Sequence, residues 1–379
     1  MRYIIVGIVL IIYCLLIYYI GRRGFQSVNA QIPINKVVYW IIIFSLASMY
    51  IVAMLGKNYL PAMLENIFNT IGGYWMAAFV YLLGFVVIID IFRFIGKKLN
   101  LVPDILKNKT LFIALAVVVI IAFILAIGTY NAIIPKVVEY NISIDKKAGN
   151  IKQLKCAMIS DVHLGDTVGR DRLHKAVEII NDLNADIVVF TGDLIDNDIA
   201  PIERSHMLDE LKDIKSKYGV FAILGNHEYY GKSTDEITKL IENSGVTVLR
   251  DKYVKISDSF YLVGREDISS NINGYKRKKL DELLGGVDKN LPVLLLDHQP
   301  QNLDEPKKEG IDLQLSGHTH AGQFFPISLI TNAMYEEDNG YLKDDNFNLI
   351  VSSGYGTWGP TVRIGSQSEI VSVNLFFKD

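Results

Sequence analysis

Cysteine is scarce in this sequence, with two residues among 379, Cys14 and Cys156. Cys14 lies inside an apolar run and Cys156 begins a predicted strand, so a structural disulfide between them is not expected. Neither a CxxC motif nor the spacing of a zinc ribbon is present. A metal ion bound by this chain would therefore depend on nitrogen and oxygen ligands.

Histidine and apolar residues are unevenly distributed along the chain. All seven histidines follow residue 160, whereas the first 130 residues are dominated by apolar runs. The chain has 38 Lys and Arg against 41 Asp and Glu, and this net charge of −3 gives no argument for a nucleic-acid partner. The two parts of the chain are therefore expected to differ in structure and role.

Four apolar runs of about 17–19 residues precede the first histidine, and each is long enough to cross a hydrocarbon core of ~30 Å as a helix. They are Tyr3–Ile20, Val37–Leu55, Ile71–Ile89 and Leu111–Ile127. Four such runs in succession favour a membrane region over buried helices of a soluble protein. Residues 1–130 are therefore predicted to form a four-helix transmembrane region of a multi-pass cell-membrane protein, in contact with the lipid bilayer.

Basic residues in the predicted loops indicate the orientation. The first and third loops carry eight Lys and Arg, whereas the second carries only Lys57. The positive-inside rule places the more basic loops in the cytoplasm, so the chain after Ile127 is predicted to be extracytoplasmic. The eight residues are Arg22, Arg23, Lys36, Arg93, Lys97, Lys98, Lys107 and Lys109.

Asp90 ends the third apolar run. An acid within a membrane helix is a candidate for transport or proton relay. Arg93 lies one helical turn away, however, and an ion pair at the interface is the favoured interpretation.

From Lys155 onward the sequence alternates apolar strands with amphipathic helices, which indicates a largely buried sheet covered by helices. The segment "ADIVVFTGD" is typical of a strand that is buried on both faces. Residues 131–153 are predicted to be a connector containing a short strand, and residues 154–379 the soluble domain. Helices are also predicted near Ile202–Lys217 and, with a basic face, near Tyr275–Leu284.

Polar side chains follow five predicted strands at their carboxyl ends, where ligands bind in open α/β sheets. Imidazole, carboxylate and amide donors suit Mn, Fe, Zn or Co, and seven candidate ligands are too many for one tetrahedral ion. The pattern therefore indicates two divalent metal ions. The polar residues at these strand ends are the seven candidate ligands Asp161, His163, Asp193, Asn226, His298, His318 and His320, together with His227.

The motifs "DVH", "GD", "GNHE", "H" and "GHTH", in this order, resemble those of the calcineurin-like metallophosphoesterases over about Leu154–Phe376. "SGHTHAGQ", "LLLDHQP" and "SSGYGTWGPTVRIG" are similar to the bacterial membrane-associated branch of the YkuE and YaeI types. The resemblance implies a four-layer αββα fold, with two mixed sheets packed face to face between helices.

The resemblance also implies roles for the site residues. It assigns one metal to Asp161, His163 and His320, with Asp193 bridging the two metals. His227, beside the site but not a ligand, is the catalytic residue, which would protonate the leaving oxygen or stabilise charge in the transition state. The second metal is assigned to Asn226, His298 and His318.

The expected activity is hydrolysis of a phosphoester by a metal-activated hydroxide. Because the domain follows a membrane region, the substrate is expected to be a lipid-linked, cell-wall or nucleotide phosphoester. The alternative is a sensor or scaffold that keeps a metal-binding domain without strong catalysis. Two departures from the family pattern stand out: Ala321 replaces a glycine, and Ser353 replaces an arginine expected near the rim.

Other polar residues have less specific interpretations. Arg265, Glu266 and Asp267 belong either to the substrate rim or to an ion-paired loop. The basic segment "YKRKK" is expected to be a solvated helix face, with contact to anionic lipid as the alternative. His174 and His206 lie on predicted helices and are expected at the surface.

Overall fold

A computed structural model describes residues 2–56, 59–100, 109–231 and 234–378. The chain divides into two compact units, one comprising Met1–Thr129 with Gly359–Val362, the other Tyr130–Trp358 with Arg363–Asp379. Lys57 and Lys107, which contribute to the predicted orientation, lie outside the described residues.

The N-terminal helices confirm the four predicted apolar runs and extend beyond them. They are α1 Arg2–Asn29, α2 Lys36–Gly56, α3 Ala62–Lys98 and α4 Thr110–Ile133. In the described chain, these four are long and apolar enough to cross a membrane. Many of their large apolar side chains are exposed, as expected for helices whose surroundings are lipid rather than water.

Asp90 makes polar contacts between two of these helices. The hydroxyl of Tyr19 donates to Asp90 Oδ2 at 2.6 Å, and Arg23 Nη2 lies 2.7 Å from the same oxygen. Arg93, the predicted partner, is farther away at 4.0 Å. The acid is therefore paired across α1 and α3, which supports the structural interpretation of this residue.

The second unit contains two six-stranded sheets. One has the order β1-β12-β2-β3-β4-β5 and the other β10-β11-β9-β8-β7-β6, and both mix parallel and antiparallel pairs. The strands are β1 Lys136–Ile144, β2 Gln153–Ile159, β3 Ile187–Thr191, β4 Val220–Ile223, β5 Thr247–Val248, β6 Lys252–Ile256, β7 Phe260–Gly264, β8 Val293–Leu296, β9 Leu313–Ser316, β10 Gly340–Asp344, β11 Phe347–Val351 and β12 Glu369–Phe377.

Three apolar clusters define the layers of this unit. The central cluster joins the inward faces of both sheets, with Met158 and Val189 from the first and Leu294 and Leu315 from the second. The two outer clusters pack helices against the opposite face of each sheet. Alternate residues of β3 belong to different clusters, which explains why its sequence is apolar throughout. The four-layer αββα arrangement is confirmed.

The helices of this unit are short. They are α5 Arg170–Asp182, α6 Ala200–Arg204, α7 His227–Tyr230, α8 Thr234–Asn243, α9 Leu280–Leu283, α10 Asp304–Glu309 and α11 Ser328–Met334. The helix predicted over Ile202–Lys217 is wrong as a single element, because α6 is followed by a 3-10 turn at Met207–Asp213.

The predicted basic helix near Tyr275–Leu284 is also wrong, apart from α9. Arg277 Nη2 lies 2.6 Å from the buried carboxylate of Asp297, and the backbone N–H of Lys278 donates to Asp251. These contacts keep the segment before α9 out of a helix, so it is not a solvated helix face.

The Arg265–Asp267 segment is an ion-paired loop. Arg265 is buried 2.8 Å from Glu305, and Glu266 accepts a hydrogen bond from Arg250 at 2.7 Å. Asp267 is also buried. These three residues therefore belong to the loop after β7 and do not line a substrate rim.

Candidate metal centre

The candidate site lies where the carboxyl ends of strands from both sheets meet. In the first sheet, β2, β3 and β4 are parallel neighbours, and in the second β8 and β9 are parallel neighbours. Each is followed within four residues by candidate site residues. These are Asp161 and His163 after β2, Asp193 after β3, Asn226 and His227 after β4, His298 after β8, and His318 and His320 after β9.

Glycines let these loops approach one another closely. A Cβ at Gly225 would contact the Asp193 carboxylate and would lie 2.7 Å from His298 Nε2. Gly192 has φ +94°, and a Cβ there would lie 2.5 Å from His298 Nδ1. Gly317 packs with similar closeness. The glycine before the polar residue in "GD", "GNHE" and "GHTH" is therefore required by space.

Several candidate ligands themselves have left-handed backbone conformations. Such a conformation costs a residue other than glycine on the order of 1–3 kcal/mol and is typical of functional sites. The φ values are 53° at Asp161, 52° at His163, 52° at Asp193, 72° at His318 and 51° at His320. The surrounding fold therefore maintains strain in the loops that carry these side chains.

Asp161, His163 and His320 form one buried group. The Nε2 atoms of His163 and His320 lie 3.0 Å apart, and His320 Nε2 is 3.4 Å from Asp161 Oδ1. His163 Nε2 is 3.8 Å from Asp193 Oδ2, which connects this group to its neighbour.

Asp193, His298 and His318 form the second group, with Asn226 beside it. His298 Nε2 lies 3.2 Å from both Asp193 Oδ2 and Asn226 Oδ1. The other ring nitrogen of His298 donates to the carbonyl oxygen of Thr191 at 2.7 Å. That hydrogen bond places a proton on Nδ1 and directs Nε2 toward the carboxylate and the amide.

The residues present fit divalent metal ions. Atoms that share one such ion, with bonds of about 2.1 Å, lie roughly 3.0–3.4 Å apart. The spacings of 3.0 and 3.4 Å in the first group and 3.2 Å in the second are of this size. Imidazole, carboxylate and amide donors suit Mn, Fe, Zn or Co.

Comparisons with known proteins agree with this geometry. The model of a protein family described as "Calcineurin-like phosphoesterase" matches residues 154–322. An uncharacterized metallophosphoesterase of Helicobacter pylori is 31% identical over 326 residues, covering 85% of each chain. This chain belongs to the calcineurin-like metallophosphoesterase family.

A second relative includes a membrane part in its description. A transmembrane protein with metallophosphoesterase domain from Danio rerio is 33% identical over 269 residues. The match covers 68% of this chain and 61% of the relative, so this metallophosphoesterase spans less than two thirds of that protein. With its four apolar helices, the chain is a membrane protein.

Burial and proximity set the protonation of the imidazoles in this metallophosphoesterase. Burial lowers the pKa of His163 to about 4 and the pKa of His320 well below its usual range. Burial would raise the pKa of Asp193, but the neighbouring His298 outweighs it and holds that pKa well below normal. At neutral pH, His163 and His320 are therefore neutral and keep lone pairs for a metal ion.

His227 differs from the neighbouring His163. Its Nδ1 lies 2.7 Å from Asp196 Oδ1, and its ring centroid is 4.5 Å from that of His163. Burial acts to lower the pKa of His227, but the hydrogen bond with Asp196 and the charge of Asp193 raise it to about 9. His227 is therefore protonated at neutral pH and can donate a proton.

Three supporting residues were not found by sequence reasoning. Asp196 follows Asp193 by three positions, a spacing that could have indicated it. Glu228 is visible in "GNHE", and its carboxylate accepts backbone hydrogen bonds from Asp193, Ile195 and Gly225 at 3.1, 2.8 and 2.7 Å. Arg363 is buried with Nη2 3.2 Å from His320 Nδ1; it lies within "SSGYGTWGPTVRIG", but that motif assigned it no role.

The remaining sequence expectations concern residues at the edge of the site and on the surface. Ser353 is buried, and its hydroxyl donates to the carbonyl oxygen of Gln367, so it does not line a rim. Ala321 has φ +49°, a conformation that glycine adopts more readily. His174 and His206 are exposed at the surface.

Replacing Gly225 tests the close approach of the loops. We expect Gly225→Ala to displace Asp193 or His298, to reduce metal affinity by about 10- to 100-fold and to lower the melting temperature. Metal content after purification and thermal unfolding measure both effects. Gly169→Ala is the matched control, because a Cβ there meets nothing within 4 Å. Wild-type metal content in Gly225→Ala would contradict the arrangement.

Proposed function

We propose that this chain is a membrane-anchored phosphoesterase that depends on two divalent metal ions, Mn, Fe, Zn or Co. The observation that carries the proposal is the position of Asp193 between two buried groups of candidate ligands. Its Oδ2 lies 3.8 Å from His163 Nε2 in one group and 3.2 Å from His298 Nε2 in the other.

Two ligand sets are proposed on this basis, with Asp193 common to both. When bound, a pair of divalent ions supplies Lewis acidity that activates water and neutralises phosphoryl oxygens. One ion would be held by Asp161, His163 and His320, the other by Asn226, His298 and His318.

His227 supplies the proton in this proposal. It is partly accessible, stands beside His163 and is held by Asp196, so it can donate to the oxygen that leaves phosphorus. Water adds to phosphorus, the P–O ester bond breaks and the alcohol departs protonated. The hydroxyl group gained by phosphorus and the proton gained by the alcohol together amount to one water molecule.

Substitution of Asp193 and His227 tests the activity. In the purified full-length protein, we expect metal-dependent hydrolysis of p-nitrophenyl phosphate or bis(p-nitrophenyl) phosphate. A chelator should abolish it, and Mn²⁺ or Zn²⁺ should restore it. Asp193→Asn and His227→Ala should each lower kcat/KM by about 10²- to 10⁴-fold with folding retained.

His174→Ala is the control for these substitutions, because His174 is exposed and pairs with Glu210, away from the candidate ligands. A wild-type protein that binds metal but hydrolyses no phosphoester would refute the enzymatic proposal and favour a scaffold.

The hydrogen bond between Asp196 and His227 predicts a pH effect. Asp196→Asn removes the charge that raises the pKa of His227 to about 9, so this pKa should fall. Because the protonated form is the donor, kcat at pH 8.5 should fall roughly tenfold or more, with little change at pH 6. Full pH profiles measure the shift of the alkaline limb.

The exposed Asp209, which pairs with Lys212, supplies the matched control Asp209→Asn. An unchanged alkaline limb in Asp196→Asn would show that His227 does not set it.

We also propose that the phosphoesterase domain is extracytoplasmic and acts on a lipid-linked, cell-wall or nucleotide phosphoester. The support is the excess of Lys and Arg in the first and third loops of the membrane region. In that orientation, substrates on the outer face of the membrane would lie on the same side of the membrane as the site.

Cysteine labelling in intact cells tests the orientation. Ile272 is 58% exposed on the phosphoesterase domain, whereas Cys156 is buried. In a Cys14→Ser background, Ile272→Cys should react with a membrane-impermeant maleimide in intact cells. Lys98→Cys, at the end of α3 that this orientation places in the cytoplasm, should react only after permeabilisation. The reverse pattern would place the domain in the cytoplasm.

A further inference from the structure

An uncharged, exposed surface adjoins the candidate metal ligands. After His320, the residues 321–335 contain no Asp, Glu, Lys or Arg. Within this segment α11 and the turn before it expose large apolar side chains to solvent. These four residues, termed the apolar platform, are Phe325 at 49% exposure, Leu329 at 62%, Ile330 at 58% and Met334 at 70%.

The apolar platform is fixed to the turn that carries His318 and His320. The hydroxyl of Thr319 donates to the carbonyl oxygen of Asp338, and Thr331 Oγ1 donates to Asp338 Oδ2 at 2.6 Å. These two bonds tie α11 to the residue between the two histidines.

The start and end of α11 are also held close to the turn that carries His318 and His320. Gly322 has φ +71°, and a Cβ there would lie 2.5 Å from the backbone nitrogen of Ser328. The ring of Tyr335, directly after α11, lies 6.4 Å from the ring of His318. The platform is therefore a preformed surface beside the site.

The domain that carries the platform begins at the end of a membrane helix. Only Ile134 and Pro135 separate α4 from β1. The distance between the end of this helix and the start of this strand is therefore at most about 10 Å. The last turn of α4 already belongs to the second unit, and its Ala132 carbonyl oxygen accepts a hydrogen bond from Arg172 Nη2 at 2.7 Å. A short connection therefore tethers the domain to the bilayer, which makes membrane lipids a source of apolar molecules for it.

The chemistry of the platform selects among phosphoesters. Leucine, isoleucine and methionine offer aliphatic contact without hydrogen-bonding groups, which suits an acyl chain better than a sugar or a nucleobase. The uncharged segment supplies no ion pair for a polar leaving group. Covering the platform with hydrocarbon would remove apolar surface from water, which is favourable.

We propose that the apolar platform binds an acyl chain of a lipid phosphoester substrate while its phosphate lies at the metal ligands. This inference rests on the proposed phosphoesterase function and narrows its substrate class. The platform then distinguishes an acylated phosphoester from its deacylated counterpart with the same reacting group.

Matched substrates test the inference on the full-length protein in phosphatidylcholine nanodiscs. Dihexanoyl phosphatidic acid and glycerol 3-phosphate form one pair, and dihexanoyl phosphatidylglycerol with its deacylated counterpart forms the other. Wild-type kcat/KM should be roughly tenfold or more higher for the acylated member of the pair that is hydrolysed. No preference for the acylated member would overturn the inference.

Ile330→Ser should lower kcat/KM for the acylated member by about threefold to tenfold, mainly through KM, with the deacylated member little changed. Leu329→Ser/Ile330→Ser should lower it further. Ile272→Ser is the matched control, because both isoleucines are 58% exposed. An equal loss on both members, or an equal loss in Ile272→Ser, would overturn the inference.

The same experiments distinguish an acyl chain from two other candidate occupants of the platform, the bulk bilayer and a second copy of the chain. A loss confined to long-chain lipid embedded in the nanodisc, and absent with the dihexanoyl ester, would assign the platform to the bulk bilayer. A change in oligomeric state that accompanies the loss would assign it to a second copy of the chain. Both outcomes would overturn the inference.

Binding separates this inference from the proposed activity. In His227→Ala, the dihexanoyl ester should bind at least about threefold more tightly than its deacylated partner, and Ile330→Ser should remove the difference. Tighter binding without hydrolysis of any ester by the wild type would refute the phosphoesterase proposal alone. Hydrolysis of p-nitrophenyl phosphate with no acyl preference in binding or turnover would refute the acyl-chain proposal alone.

Discussion

The pairing of one buried carboxylate with imidazoles from both sheets organises the phosphoesterase domain. Asp193 follows β3 in the first sheet, and its closest imidazole partner, His298, follows β8 in the second. Burial of an anion is unfavourable unless cations or donors surround it. The backbone N–H of His227, 2.9 Å from Asp193 Oδ1, provides one of these donors. The two sheets must therefore pack correctly before this carboxylate is stabilised.

The strain around this carboxylate explains the composition of the nearby loops. Left-handed backbone at several candidate ligands is unfavourable, and the glycines beside them leave no room for a larger side chain. Close packing between the sheets, with residues such as Met158 and Leu315 fully buried, offsets this strain. The contacts that stabilise the core therefore also fix the positions of the candidate ligands.

Some of these features could be predicted from the sequence and others could not. Apolar strands that end in Gly-Asp or Gly-His predict a shared edge, because carboxyl ends of parallel strands meet there. Length and composition alone were enough to predict α1 to α4. The contact between Arg363 and His320 could not be predicted, because tertiary packing brings together these two residues, which are 43 positions apart. Most of the helix predicted near Tyr275–Leu284 does not form, because the ion pair between Arg277 and Asp297 outweighs the local helix propensity.

The position of β1 affects how this domain can be separated from its membrane helices. β1 pairs with β12 in parallel over the whole of Lys136–Ile144, at the edge of the first sheet. A soluble fragment that began at residue 154, where the family match starts, would leave one side of β12 unpaired. An open edge of this length, with apolar residues such as Val371 and Val373, favours intermolecular pairing and aggregation. A fragment that retains the strand after α4 would keep this edge covered.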